Sequence, residues 1–142
     1  MYSRIVVGTD GSATATEAVR QAADLARAFG AELVVVHGAR IAAAAQSGMA
    51  GGAIPPDMEG IREAGEEILR EAATAVGSGV NVRTAMREGD AAGAVVDEAE
   101  ECGADLIVVG NRGMRGARRF LGSVPNNIAH HSPCSVLIVH TT

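Results

Sequence analysis

A chain of 142 residues with 47% apolar content is long enough to bury a core, and is expected to form one domain over its whole length. A net charge of −5 and only three aromatic residues, Tyr2, Phe29 and Phe120, argue against a nucleic-acid platform that works by basic charge and base stacking. All twelve basic residues are arginine; the lack of lysine removes a P-loop lysine, a Schiff base and a Ser–Lys dyad, while forked recognition of anions by guanidinium stays open.

The first element is Arg4-Ile5-Val6-Val7-Gly8, a short apolar strand, followed by the turn Thr9-Asp10-Gly11-Ser12, which ends in helix-capping residues. Ala18, Ala22, Leu25, Ala26 and Phe29 then fall on one helical face, and Gly30 stops the helix. Leu33-Val34-Val35-Val36 reads as a second buried strand, from Glu32 to His37. From Gly38 to Pro56 the chain is rich in Ala, Gly and Ser, and is expected to be a flexible excursion, with 41–56 a candidate lid. Pro55-Pro56-Asp57 opens a second helix carrying Ile61, Gly65, Ile68, Leu69, Ala72 and Val76 on one face and Glu63, Glu66, Glu67 and Glu71 largely on a solvated other.

The alternation of Val80, Val82, Thr84 and Met86 predicts a strand near a sheet edge. Ala94, Val95, Ala99 and Cys102 pattern a third helix, stopped by Gly103. Leu106-Ile107-Val108-Val109 is a fourth strand, Val124 to His131 a short fourth helix, and Ser135 to His140 a fifth strand. Cys102 and Cys134 have neither metal-ligand spacing nor a disulfide framework and read as reduced thiols near element ends. His130-His131 face different directions on a helix and cannot easily share a metal, while His37 and His140 end strands in structural roles. With no signal peptide and no apolar run of membrane-spanning length, a soluble cytoplasmic protein without membrane or nucleic-acid partners is the expectation.

Five strands alternating with four helices imply an α/β fold: one open parallel five-stranded sheet, order 3-2-1-4-5, Rossmann-like, with helices on both faces. Ligands of such folds sit beyond the carboxyl ends of the strands where the strand order reverses, here between strands one and four. The loops bordering that crevice are Gly8-Thr9-Asp10-Gly11-Ser12 and Gly110-Asn111-Arg112-Gly113. The second opens a longer glycine- and arginine-rich stretch that runs to Ser123, ahead of a helix N-terminus, and reads as a phosphate cradle. Arg112 and Arg115, nearest the loop, are the arginines expected to pair with phosphate; Arg118 and Arg119 complete a local cluster. Asp10 either caps the first helix or meets ligand. Val136-Leu137-Ile138-Val139 would be a bare apolar edge, which a two-fold homodimer through the final strands would cover.

These motifs resemble the universal stress protein family over nearly the whole chain. The resemblance rests on Ile5-Val6-Val7-Gly8-Thr9-Asp10-Gly11-Ser12, on Val35-Val36-His37, on Ala104-Asp105-Leu106-Ile107-Val108-Val109-Gly110 and on the glycine loop. The ATP-binding branch of that family, with its adenine nucleotide alpha hydrolase-like fold, carries Gly, two residues, Gly, nine residues, then Gly-Ser or Gly-Thr. Gly110, Gly113 and Gly122-Ser123 match, but only the eight residues Met114 to Leu121 separate the last two parts. The resemblance implies that Asp10 contacts the ribose and that backbone around Val36 to Gly38 meets the adenine. It further implies that Gly110, Gly113, Gly122, Ser123 and Val124 wrap the ribose and phosphates, and that dimers form through the last strand. ATP, with Mg²⁺ accompanying its phosphates, is the first expectation; AMP or cyclic AMP, better suited to a shortened loop, is the alternative. No dedicated hydrolysis centre is legible, so any ATPase activity is expected to be slow. A nucleotide-independent dimeric scaffold and an adenylating enzyme are the competing classes. The loop glycines speak against the first, and the lack of lysine and of a serine-rich loop after strand one against the second. The regulatory protein partner is not legible.

Overall fold

The computed structural model describes residues 1–40, 58–111 and 123–141. The excursion at 41–57 and most of the glycine loop, 112–122, lie outside the described residues, and with them the expected lid, Arg112, Gly113, Arg115, Arg118, Arg119 and Gly122.

The described elements are β1 (Arg4–Gly8), α1 (Ala13–Phe29), β2 (Glu32–Ala39), α2 (Met58–Val76), β3 (Asn81–Glu88), α3 (Ala91–Cys102), β4 (Leu106–Gly110), α4 (Val124–His131) and β5 (Ser135–Val139). They form one parallel sheet in the order β3-β2-β1-β4-β5. The three central strands carry unbroken apolar runs, Ile5 to Val7, Leu33 to Val36 and Leu106 to Val109, because helices cover them on both faces. Ile5, Val7, Leu33, Val35 and Val108 meet Ala18, Ala22 and Ala26 of α1 and Leu69, Ala72 and Val76 of α2. Val6, Val34, Val36, Ile107 and Val109 meet Val95 and Ala99 of α3 and Ile128 of α4. Burying each of these larger side chains contributes about 1.5–3 kcal/mol. The alanines of α1 let that helix lie close to the sheet, which compensates for the scarcity of aromatic volume.

Local chemistry sets the helix boundaries. Ser12 Oγ accepts from the Ala15 N–H at 3.2 Å, Asp90 Oδ1 from the Gly93 N–H at 2.7 Å, and Ser123 Oγ from the Asn126 N–H at 3.3 Å. Gly30 (φ 67°) and Gly103 (φ 68°) close α1 and α3 in the left-handed conformation that glycine adopts without cost to a Cβ.

Three expectations are corrected. β5 ends at Val139, so His140 lies just beyond the strand. β2 does not end at His37: Gly38 and Ala39 continue it, in register with Arg87 and Glu88 of β3. Their small side chains resembled loop composition, but pairing with an edge strand keeps them extended. β3 runs from Asn81 rather than Val80 and reaches Glu88, and Thr84 is exposed while Val80, Val82 and Met86 pack on the core.

Ion pairs fasten the β3 edge. Glu98 of α3, almost wholly buried, accepts from Arg83 Nη2 at 2.9 Å and Arg87 Nε at 2.7 Å. Burial alone would raise the Glu98 pKa, but the hydrogen bonds from Arg87 and Arg83 prevail and hold it below the ordinary carboxylate range. Asp105, just before β4, accepts the Ser3 and Arg4 N–H groups at 2.8 and 3.1 Å; these bonds outweigh its desolvation and lower its pKa. The thiols of Cys102 and Cys134 are both free, and desolvation raises both pKa values, which makes them poor nucleophiles.

Candidate functional site

A cleft of about 420 Å³ opens at the carboxyl ends of the strands, between β1 and β4, where the strand order reverses. Gly8, Val36, Gly38 and Gly110 line it from the sheet, and Thr9 and Asp10 from the β1–α1 turn. Ser123 and Val124 line it from the start of α4. The structure thus gathers eight of the twelve residues expected from sequence into one cavity; the other four, Arg112, Gly113, Arg115 and Gly122, lie outside the described residues.

Residues not anticipated as lining are Thr14, Ala15 and Ala18 of the first helix, Ala91 and Val95 of α3, and Val109, Pro125 and Ile128. Ser12, in the loop expected to border the crevice, lines it as well as capping α1. Ala91 and Val95 follow a turn at the same end of the sheet, but nothing in their local pattern separates a cleft wall from a core face.

The floor is shaped by missing side chains. A Cβ on Gly8 would lie 2.7 Å from Val95 Cγ2, and one on Gly38 would lie 2.8 Å from the Asp90 carbonyl oxygen. Both contacts are too short for a real side chain, so these glycines hold α3 against the strand ends. They leave a predominantly apolar floor suited to a flat ring.

The rim is polar. Thr9 donates its N–H to the Val36 carbonyl at 2.9 Å, and its Oγ1 accepts from the Gly11 N–H at 3.1 Å. Asp10 Oδ1 accepts from the Ser12 N–H at 2.9 Å, so Asp10 shapes the turn while Ser12, not Asp10, caps α1. The exposed Asp10 is the only carboxylate among the described lining residues.

Three helices begin at the cleft, and each brings the positive end of its dipole. At α3 the cap is the Asp90 carboxylate, which is paired with Arg40 at 3.3 Å. At α1 and α4 the caps are the neutral hydroxyls of Ser12 and Ser123. The turn before α1 carries the Asp10 carboxylate, so the anion-attracting end beside Gly110 is that of α4. Ser123 is buried, and its oxygen accepts the capping N–H, which leaves its hydroxyl proton to donate. The groups with shifted pKa values, Glu98, Asp105 and the two thiols among them, line no part of the cleft.

Comparison with known proteins agrees with this architecture. The family model described as "Universal stress protein family" matches residues 1–140. A universal stress protein of Bacillus subtilis is 33% identical, with 98% of this chain and 99% of that protein covered. One of Mycobacterium tuberculosis is 36% identical, covering 99% and 98%. Among solved structures, a universal stress protein in complex with cAMP is similar with a TM-score of 0.79 and 34% identity, covering 99% of this chain and 98% of that one. The universal stress protein from Archaeoglobus fulgidus in complex with dAMP gives a TM-score of 0.70 and 28% identity, covering 96% and 97%. With sheet order, cleft position and similarity all extending over the length of the molecule, the chain belongs to the universal stress protein family.

Proposed function

We propose that the chain binds an adenine nucleotide in the switch-point cleft, with AMP or cyclic AMP preferred to ATP, and acts as a nucleotide-dependent regulatory module in a stress response. The observation that carries this reading is the side of the cleft beside Gly110, where α4, capped by the neutral Ser123, points its N-terminus and Ser123 keeps a proton to donate. The apolar floor over Gly8 and Gly38 accepts the base, beside Val36; Asp10 meets the ribose; the phosphate lies against Ser123 and Val124. A full-length relative solved with cAMP and another with dAMP support a ligand bearing one phosphate. The glycine loop, one residue shorter than the ATP-branch spacing, supports it too.

ATP is the second reading, favoured by the match of Gly110 and Gly122-Ser123 to that branch. Asp10 being the one carboxylate among the described lining residues, Mg²⁺ would arrive held chiefly by the phosphates. Calorimetric titration with ATP, ADP, AMP and cyclic AMP separates the readings, and identification of nucleotide released on denaturing the purified protein is an independent check.

The proposed assembly is a homodimer through β5. Leu137 and Ile138 are 39% and 38% exposed on that edge, while the opposite edge, β3, is guarded by Arg83, Arg87 and Glu88. No helix among the described residues is long and apolar enough to cross a membrane.

A further inference from the structure

The turn that presents Asp10 to the cleft is held from behind the sheet. Side chains of β2 alternate between faces: Val36 and Gly38 face the cleft and α3, whereas His37 points to the α1–α2 side and lines no part of the cleft. From there His37 Nδ1 lies 2.9 Å from the carbonyl oxygen of Thr9, twenty-eight residues earlier in the chain. A carbonyl only accepts, so Nδ1 carries the hydrogen and donates it. Thr9 is buried, and its backbone is secured at both ends, with the N–H on Val36 and the C=O on His37. Helix α2 holds the ring in place. A Cβ on Gly65 would stand 3.0 Å from His37 Cδ2 and 2.6 Å from Met86 Cε, so the glycine lets the helix seat closely on the ring. The same helix reaches the turn directly, because a Cβ on Gly11 would meet Ile68 Cγ1 at 3.1 Å.

We infer that His37 is a positioning residue for nucleotide binding: its Nδ1–H anchors the Thr9 carbonyl and thereby sets Asp10 against the ligand. The inference rests on the nucleotide reading of the cleft. It assigns the α2–His37 contact a task in recognition beyond packing, since a side chain outside the cavity fixes the one carboxylate among the described residues that line it.

The test is cyclic AMP calorimetry on the full chain and on His37→Leu, His37→Asn, Asp10→Asn and the His37→Leu/Asp10→Asn double variant. Asparagine places an amide N–H near the position of Nδ1; leucine fills the space without a donor. His37→Leu should weaken binding about tenfold and His37→Asn less than about threefold, as expected for loss and retention of one hydrogen bond to a buried carbonyl. In the Asp10→Asn background the leucine change should cost less than about twofold, because the two residues act through one contact. Amide exchange at Gly11 and Ser12, read by NMR without ligand, should quicken in His37→Leu and not in His37→Asn. Binding that is unchanged in His37→Leu, or weakened tenfold whether or not Asp10 is present, overturns the inference and leaves the nucleotide reading standing. Failure of the unsubstituted chain to bind any adenine nucleotide overturns both.

Discussion

Ser123 uses an oxygen lone pair to cap α4 and keeps its hydroxyl proton to donate, so the cap and the proposed phosphate contact can be separated by substitution. Ser123→Ala should lose both, costing about 1 kcal/mol in denaturant unfolding for the cap and weakening nucleotide binding. Ser123→Asp keeps a capping acceptor but sets a negative charge where the phosphate is proposed to sit. It should unfold with near-normal stability and yet fail to bind in calorimetry; binding that survived would place the phosphate elsewhere. Gly38 makes a different demand. Its added Cβ would meet the Asp90 backbone at 2.8 Å and Ala94 Cβ at 3.0 Å, neither of which can swing aside. Gly38→Ala should therefore destabilise by about 1–3 kcal/mol through overpacking and lower affinity by lifting α3 off the strand ends.

Among the elements, β3 and α3 are fastened by Glu98 between Arg83 and Arg87, and β1 is tied to β4 by Asp105. Both carboxylates sit below their ordinary pKa, so each contributes stability that is complete above the unfolded value of about 4 and lost as pH falls through the lower folded value. Glu98→Gln should cost about 1–2 kcal/mol at pH 7, since both arginines are partly exposed, and the variant's stability should fall less than the parent's between pH 5 and pH 2. Equal acid sensitivity would show that the pairs contribute nothing. Much of this level was legible beforehand. Apolar runs, helical spacing and glycine stops located nine elements, and the alternation of strands and helices implied a parallel sheet. What escaped depended on neighbours in space. Gly38 and Ala39 looked like loop until β3 supplied partners, and Val95 reaches the cleft wall because Gly8 has no Cβ to meet it. The bond from His37 to Thr9 joins two strand ends that no local pattern connects.

For the molecule as a whole, the sheet has one charged edge and one apolar edge, and the switch-point cleft lies between them. A second copy seated on β5 would cover Leu137 and Ile138. Leu137→Glu combined with Ile138→Lys should shift the protein from dimer to monomer in analytical ultracentrifugation while the β1–β4 cleft stays intact. A dimer that persisted would move the interface elsewhere. The C-terminal residues add a connection between this edge and the cleft. Asn111, which follows β4, accepts through Oδ1 from the Thr141 N–H at 2.9 Å and its hydroxyl at 3.0 Å, and donates its own N–H to the Val139 carbonyl. The entry to the glycine loop is thus tied to the strand proposed as the interface.

The measurement that tests the account most directly is a calorimetric comparison of ATP, ADP, AMP and cyclic AMP on the same preparation, repeated with Ser123→Asp. The account predicts binding in the switch-point cleft, tighter for AMP or cyclic AMP than for ATP, and abolished by Ser123→Asp. Tighter binding of ATP would show that the shortened glycine loop still accommodates a triphosphate. No binding of any of the four, or binding indifferent to Ser123→Asp, would contradict the assignment of this cleft to an adenine nucleotide.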